Sequence, residues 1–365
     1  MLVVASILSS ALAAWILLRG LYPLSYRIGL LDRPDRKRKR HERPVPLIGG
    51  IAIYGGILAG SLWWLPLSSS HLFMLLGAGL LVALGAFDDR FKLGVGVRFL
   101  GQSMSALLMI FGADVQLDSF GNLLGNGPVV LGALAVPLTL IAIVGMINAF
   151  NMIDGMDGLA GGLTLIALGS LLMLPGVPGT SLILLVPLCA ALLPFMVYNL
   201  GLFGCAGRKV FLGDSGSMLL GYLVAWAMIV SSQGSGSLMT PVLALWLVAI
   251  PLLDTLGTIA RRIRRGTSPF EADNRHLHHY LLRILGRPKT VLLAILACAA
   301  FMASITMLAA LRSVHDVILF YLFVITWCIY FAALGRLPGL VRWSRRARRR
   351  IAPRMEAVAR ETGSS

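Results

Sequence analysis

The chain has 365 residues, of which 57% are hydrophobic and only 13% are charged, and its mean hydropathy is +0.83. A soluble globular protein carries about 25% charged residues, so this composition excludes an ordinary soluble protein and indicates that lipid is the main solvent. The stretches between the apolar segments leave no room for a soluble domain of normal size.

Apolar segments long enough to form membrane helices recur along almost the whole chain. A bilayer core of roughly 30 Å requires about 20 apolar residues per helix. The first segment has neither a cationic start nor a small-residue cleavage site, so we interpret it as a retained helix rather than a signal peptide. The sequence therefore predicts an all-α polytopic integral membrane protein with about eleven transmembrane helices, over residues 2–20, 47–65, 71–87, 98–112, 128–149, 160–175, 179–199, 216–231, 239–259, 290–310 and 315–335.

The positions of the basic residues predict how these helices are oriented. A net charge of +16 could point to nucleic acid. With the N-terminus outside, however, all but one of the 32 lysines and arginines fall on the inner side, and Arg312 is the exception. Such an excess is typical of cytoplasmic loops. We therefore predict a cytoplasmic C-terminus, a transmembrane domain over residues 1–335 and a basic tail over residues 336–365, with the anionic inner leaflet rather than nucleic acid as the partner.

Chemically distinctive residues concentrate in the predicted inner loops, whereas the outer loops are short and plain. The first cluster is Asp88 and Asp89, at the inner end of a predicted helix. Adjacent carboxylates repel, so one of them can have a raised pKa or share a cation with the other. Short acids at a helix end also cap it by accepting hydrogen bonds from backbone amides, and the pair alone leaves both interpretations open.

The second cluster, residues 148–158, places two carboxamides and two carboxylates at the membrane edge. Asn148, Asn151 and Asp154 are three residues apart and can share one helical face, and Asp157 continues the series. Two glycines in this segment permit a close approach of the backbone to a phosphate-bearing ligand. Polar groups beside lipid are costly, which favours a functional site over a plain loop.

The third cluster, residues 211–217, directly precedes an apolar helix and contains Asp214. This carboxylate can cap the helix or bind a metal ion. Mg²⁺ takes hard oxygen ligands, commonly a few carboxylates together with substrate phosphates. Because Asp214 and Asn151 can supply such oxygens from separate loops, we predict them as metal ligands.

The fourth cluster combines arginines with closely spaced histidines. Arg261 to Arg265 precede His276, His278 and His279. This spacing does not match the H-E-x-x-H zinc motif. The neighbouring residues are arginines rather than cysteines, which favours anion binding over a zinc site or a packing interface.

At these four clusters the sequence resembles the polyprenyl-phosphate N-acetylhexosamine-1-phosphate transferases, in order and spacing over nearly the entire chain. The resemblance extends to the segment from Asp32-Arg33-Pro34 to Val45-Pro46-Leu47-Ile48-Gly49-Gly50-Ile51 and to Ser268-Pro269-Phe270. It implies transfer of a sugar 1-phosphate from a UDP-N-acetylhexosamine to undecaprenyl phosphate at the cytoplasmic face of a bacterial inner membrane. UMP is released, and a lipid-linked glycan of the cell envelope such as O-antigen is started.

The resemblance also implies a cofactor and residue roles. The cofactor is Mg²⁺, with Mn²⁺ as a substitute, and a homodimer is compatible with the sequence. Asp214 and Asn151 match the metal ligands. The remaining positions match catalytic acids at Asp88, Asp89 and Asp154 and substrate-binding residues at Asp157, Arg98, Asn148, His276, His278 and His279.

Two alternatives accompany this interpretation. Sister enzymes of peptidoglycan synthesis use a muramyl-pentapeptide donor and carry three consecutive histidines, whereas Leu277 interrupts them here. That favours N-acetylglucosamine, with fucosamine, quinovosamine or muramyl-pentapeptide donors as alternatives. A different class is an ion-coupled transporter, since Asp254 lies within a predicted helix. Transport sites lie near the membrane midplane, whereas the other acids lie at inner helix ends, so the transferase is favoured.

Overall fold

The structure, a computed structural model, describes residues 1–34, 43–174, 184–234, 237–268, 276–337 and 339. The predicted basic tail therefore lies outside the described residues, apart from residues 336, 337 and 339. Within the described part, the α-helices in chain order are α1 Leu2–Ile28, α2 Gly49–Ser61, α3 Ser69–Phe91, α4 Val95–Leu107, α5 Ala135–Ile153, α6 Leu159–Met173, α7 Leu185–Leu200, α8 Gly213–Ser232, α9 Pro241–Leu247, α10 Ala249–Arg264, α11 Leu277–Leu285, α12 Pro288–Leu311 and α13 Asp316–Leu337.

Each predicted apolar segment overlaps helical structure in the described residues, but the helices differ in length. Seven helical segments in the described part are long and apolar enough to cross a membrane, one of them being α4 with its π-helical continuation to Gly112. The bent pair of α9 and α10 adds an eighth if it counts as one span. Helices α2, α6 and α7 have 13, 15 and 16 residues, fewer than the about 20 that a bilayer core requires. The fold fits an all-α polytopic membrane protein, and the count of eleven crossings and the orientation of the termini stay predictions.

The helix predicted over residues 239–259 is broken. Its two parts, α9 and α10, meet at Val248 with a bend of 83°. Pro251 lies in the first turn of α10. It has no N–H to donate to the Leu247 carbonyl, and its ring would clash with that carbonyl in a continuous helix. The chain therefore turns at this point, and α10 leaves in a new direction.

A short antiparallel strand pair is the one β-sheet among the described residues. Strand β1, Leu31–Asp32, pairs with β2, Val45–Pro46. The chain after β2 is held to the segment before α8, because the Phe211 N–H donates to the Pro46 carbonyl at 2.9 Å and the Gly49 N–H donates to the Phe211 carbonyl at 3.0 Å. These bonds fix the start of α8 beside α2.

Helix α8 lies at the centre of the bundle, and 94% of its 18-residue apolar stretch is buried. Glycines let neighbouring backbones approach its first turn. A Cβ atom at Gly50 of α2 would lie 2.2 Å from the Gly216 nitrogen, and one at Gly85 of α3 would lie 2.3 Å from the Ser215 Cα. Real Cβ atoms do not come this close, so any larger residue at either position would displace the start of α8. The fold thus places the ends of several helices around Asp214.

Candidate active site

Four of the predicted site residues, all of them aspartates, converge where three helix ends meet. Helix α3 brings Asp88 and Asp89 in its last turn, α5 ends beside Asp154, and α8 begins with Gly213-Asp214. The positively polarised N-terminus of α8 favours negative charge close to it. Acidic residues that are far apart in the sequence therefore occupy one polar region.

Asp214 and Asn151, the predicted metal ligands, are in direct contact. The Asn151 amide Nδ2 donates to Asp214 Oδ1 at 2.7 Å and to the hydroxyl of Ser217 at 2.9 Å. Asn151 lies in the last turn of α5, and Asp214 and Ser217 lie in the first turn of α8. The hydrogen bonds therefore tie the two helices together and hold both oxygen-bearing side chains in the site.

Asp89 caps the central helix. Its Oδ1 accepts a hydrogen bond from the Asp214 N–H at 3.0 Å, and its Oδ2 accepts one from the Ser215 N–H at 3.4 Å. Gly213 has a φ of +72°, and a Cβ atom there would lie 2.5 Å from Asp89 Oδ2. A glycine is thus required both by the backbone conformation and by the approach of the carboxylate. The second acid of the pair is used to satisfy backbone groups at a helix start.

Asp88 points in a different direction from its neighbour. Its Oδ1 accepts the Leu93 N–H at 2.7 Å, and Arg98 Nη1 donates to its Oδ2 at 3.3 Å. The carboxylate is almost fully buried, whereas the Arg98 side chain is 31% exposed. Asp88 also interacts electrostatically with Asp214. The Asp88–Arg98 pair therefore borders the carboxylate region on one side and reaches solvent through the guanidinium.

Asp154 follows α5, and within the described residues no hydrogen bond is made to its carboxylate. Burial, together with the nearby negative charges of Asp214 and Asp157, raises its pKa to about 8. A carboxyl group in such surroundings can hold a proton near neutral pH. Asp154 is therefore a group that can give up a proton when a cation or a substrate enters.

Asp157 is paired with Lys209, which the sequence analysis did not single out. The Lys209 ammonium forms an ion pair with Asp157 Oδ2 and lies 5.6 Å from the centre of the Phe211 ring. Both charged side chains are partly exposed. The signal in the sequence was the adjacent basic pair Arg208 and Lys209 shortly before the third cluster, and only the fold shows that Lys209 faces the second cluster.

Asn148 is held by a residue that the sequence did not point to. Its amide Nδ2 donates to Gln102 Oε1 at 2.8 Å and to the Val144 carbonyl, one turn earlier, at 2.7 Å. Gln102 belongs to α4 and is only 2% exposed. The Asn148 side chain thus links α4 to α5, and it supports the helix that carries Asn151.

The histidines form a second polar group on and beside α11. The rings of His278 and His279 are 4.1 Å apart, and those of His276 and His278 are 5.9 Å apart and nearly parallel. His278 is buried, and neither of its ring nitrogens has a hydrogen-bond partner among the residues that the structure describes. Burial lowers its pKa to about 3, so its imidazole is neutral. A Cβ atom at Gly155 would lie 2.3 Å from His278 Nε2, so the histidines touch the loop that follows Asp154.

The donor set suits a magnesium ion that is shared with substrate phosphates. Asp88, Asp89 and Asp154 all interact electrostatically with Asp214, and a divalent cation relieves repulsion of this kind. The described residues contain no group of three or more His, Cys, Asp and Glu side chains arranged as a complete metal site. Mg²⁺ does not require one, because it binds through one or two carboxylates, water and phosphate oxygens. Asp214 and Asn151 fit that requirement.

Comparison with known proteins finds a family profile and several similar named proteins. The sequence profile of glycosyl transferase family 4 matches residues 71–232, which run from α3 to α8. The chain is similar to proteins named undecaprenyl-phosphate alpha-N-acetylglucosaminyl 1-phosphate transferase. Identity is 37% with the protein of Escherichia coli K12, over 89% of both chains, and 37% with that of Salmonella typhi, over 90% of both. It is 38% with the Haemophilus influenzae protein, over 94% of this chain and 98% of the relative.

Proposed function

The chain belongs to glycosyl transferase family 4, and from that premise we propose that it transfers N-acetylglucosamine 1-phosphate from UDP-N-acetylglucosamine to undecaprenyl phosphate. UMP is released, and the lipid-linked sugar starts a glycan such as O-antigen. The observation that carries the proposal is the meeting of Asp88, Asn151, Asp154 and Asp214 at the ends of α3, α5 and α8, in a chain that matches transferases of this name along about nine-tenths of its length.

The chemistry requires a site of this kind. An oxygen of the lipid phosphate attacks the sugar-linked phosphorus of the donor, and the bond from that phosphorus to the bridging oxygen of UMP breaks. Both reactants are anionic, so catalysis consists mainly of positioning and charge stabilisation. Bound Mg²⁺ would supply the positive charge between the phosphates, and Asp214 and Asn151 are the residues that would hold it.

The two substrates reach the site from different directions. Asp88 ends a membrane-length helix, so the lipid phosphate can reach it while the polyprenyl chain stays in hydrocarbon. The exposed part of the Arg98 guanidinium can donate to the same phosphate. We assign the acceptor to Asp88 and Arg98, and we assign to Asp89 the capping of α8.

The donor nucleotide approaches from the aqueous side. The Asp157–Lys209 pair lies beside the loop that follows α5, and the histidines of α11 touch the same loop. A lysine and imidazole N–H groups are suitable donors to a diphosphate, and Asp157 can accept hydrogen bonds from the nucleotide. We propose that these residues bind the UDP-sugar, with Asp154 as the nearby carboxyl group that can carry a proton.

No feature of the described residues favours the ion-coupled transporter. That alternative depended on Asp254 as an isolated acid within a helix. Its carboxylate instead accepts hydrogen bonds from His276, Leu277 and Tyr330, so both of its oxygens are already used. A carboxylate held in this way serves structure, whereas a transported ion needs oxygens that it can occupy.

The proposed reaction can be tested with purified protein in detergent, undecaprenyl phosphate and a panel of UDP-sugars. We expect UMP release and a lipid-linked product with UDP-N-acetylglucosamine, in the presence of Mg²⁺ or Mn²⁺ but not of EDTA. The fucosamine, quinovosamine and muramyl-pentapeptide donors should react more slowly. A faster reaction with one of them would identify that sugar as the preferred donor instead. The absence of transfer from every donor would reject the proposed function.

We further propose that the active site faces the cytoplasm of a bacterial inner membrane. In a variant without the four native cysteines, Ser313→Cys, next to Arg312, should react with a membrane-impermeant thiol reagent in intact cells. Ser344→Cys, in the basic tail, should react only after lysis, because positively charged segments stay on the cytoplasmic side. Labelling of Ser344→Cys in intact cells would contradict this topology.

A further inference from the structure

A buried polar cluster joins α10, α11 and α13, outside the carboxylate region and beyond residue 232, where the family profile ends. Its centre is Asp254, which is 1% exposed. Asp254 Oδ2 lies 2.9 Å from His276 Nδ1, and Oδ1 accepts the Leu277 N–H at 2.9 Å and the Tyr330 hydroxyl at 2.8 Å. Tyr330 belongs to none of the four clusters that the sequence analysis identified. The cluster therefore adds a residue from the last described helix to the surroundings of the histidines.

The bonding pattern fixes one ring and one helix start. A buried carboxylate is stable only when its oxygens are satisfied, and here three donors do so, two from the consecutive residues His276 and Leu277 and one from Tyr330. The bond to Nδ1 sets the orientation of the His276 ring and leaves Nε2 as the nitrogen on its far side. The bond to Leu277 satisfies an N–H in the first turn of α11. Asp254 thus determines where α11 begins and how His276 is turned.

Helix α13 supports this arrangement from behind. A Cβ atom at Gly257, one turn after Asp254, would lie 2.7 Å from Leu334 Cδ1 and 3.1 Å from Tyr330 Cε1. The two helices therefore pack in close contact. Tyr280 of α11 and Leu334 form a small apolar cluster with Tyr330 packed against it. The Tyr330 hydroxyl consequently has little freedom to move away from Asp254.

The histidines connect α11 to the loop beside the carboxylates. The His276 ring is within 6° of parallel to that of His278, and His278 Nε2 lies directly against Gly155. Gly155 follows Asp154, so a shift of α11 would act on the loop that borders the carboxylates. Small displacements of groups that bind a substrate are costly, because binding and catalysis depend on their alignment.

We propose that Asp254 and Tyr330 are positioning residues for donor binding. Asp254 holds His276 and the first turn of α11, and Tyr330 holds Asp254, so that the imidazoles face the phosphates of the nucleotide sugar. Neither residue touches the reacting atoms. The inference rests on the proposed function, since it assigns the histidines to the UDP-sugar rather than to the lipid acceptor.

The test is Tyr330→Phe, which removes the hydroxyl and keeps the ring. Calorimetric titration with UDP-N-acetylglucosamine and Mg²⁺ should show binding weakened by about tenfold. The KM for undecaprenyl phosphate and the rate at saturating donor should stay at the wild-type level. Tyr321→Phe, at an exposed position of the same helix, is the matched control and should bind the donor like the wild type.

A double-mutant cycle separates positioning from general stabilisation. In a His276→Ala background, Tyr330→Phe should cause a smaller further loss of donor affinity than in the wild type, because one of the two groups that Asp254 holds is gone. A tyrosine that only stabilised the fold would weaken binding equally in both backgrounds, and that result would overturn the inference. Asp254→Asn carries the same expectation as Tyr330→Phe and provides a second variant if the first lowers the yield of folded protein.

Two failures can be told apart. If the wild type binds the donor and turns over but both folded variants bind it with wild-type affinity, the positioning role is rejected and the proposed function stands. If the wild type itself neither binds nor transfers from any UDP-sugar, the proposed function fails and the inference falls with it.

Discussion

Asp214→Asn is expected to lower the rate of sugar-phosphate transfer by about 10²- to 10³-fold, which is the usual loss when one electrostatic group of a preorganised site is removed. The amide keeps the size of the side chain but loses the charge that holds a hard cation between two phosphates. Asp214 is also the carboxylate with which Asp88, Asp89 and Asp154 interact. Its replacement therefore removes the centre of the proposed metal site.

The measurement is the initial rate of UMP release as a function of Mg²⁺ concentration. Asp118→Asn makes the same chemical change at an exposed position, where the Asp118 carboxylate contacts only Gln116 in the described part of the chain. This control should keep the wild-type rate and magnesium dependence. A near wild-type rate for Asp214→Asn at ordinary magnesium concentrations would show that Asp214 only supports the start of α8.

Asp88→Asn is expected to reduce turnover by about 100-fold while the affinity for UDP-N-acetylglucosamine changes little. The side chain oxygen that accepts the Leu93 N–H is kept, and the charge that pairs with Arg98 and faces Asp214 is lost. Asp88 belongs to the acceptor side of the proposed site. Its loss should therefore affect the attacking phosphate and leave ground-state binding of the donor unchanged.

Asp89→Asn should differ from Asp88→Asn, because we expect it to lower the stability of the protein. Both oxygens of Asp89 accept backbone N–H groups of α8, and an amide would direct a donor at one of them. Leaving a buried group unsatisfied costs about 1–3 kcal/mol, so the thermal unfolding midpoint should fall for Asp89→Asn and remain close to the wild type for Asp88→Asn.

Donor binding and maximal rate must be measured separately for both variants. If Asp88→Asn abolishes binding of the UDP-sugar yet keeps the maximal rate at saturation, Asp88 belongs to the nucleotide pocket. If Asp89→Asn keeps its stability and loses only turnover, the capping role assigned to Asp89 is wrong and the two acids act together on the acceptor.

The positions of the apolar helices, and the helix ends at which the polar residues gather, could be predicted from the amino-acid sequence alone. Both depend on local information, namely runs of apolar residues and the breaks between them. Asn151, Asp154 and Asp214 could therefore be placed at helix ends before any contact was known. The match in order and spacing to a transferase family then supplied the chemistry, and the sequence identity of 35–38% to named relatives supports it.

The contacts of the individual side chains became visible in the tertiary structure and could not be read from the sequence. Asp88 and Asp89 are identical and adjacent, but successive residues of a helix point about 100° apart, so one meets Arg98 and the other meets the backbone of α8. Likewise, Lys209 and Tyr330 find their carboxylates at separations of 52 and 76 residues. Whether such a hydrogen bond forms depends on how two distant segments pack against each other. A periodic pattern in the sequence does not specify that packing.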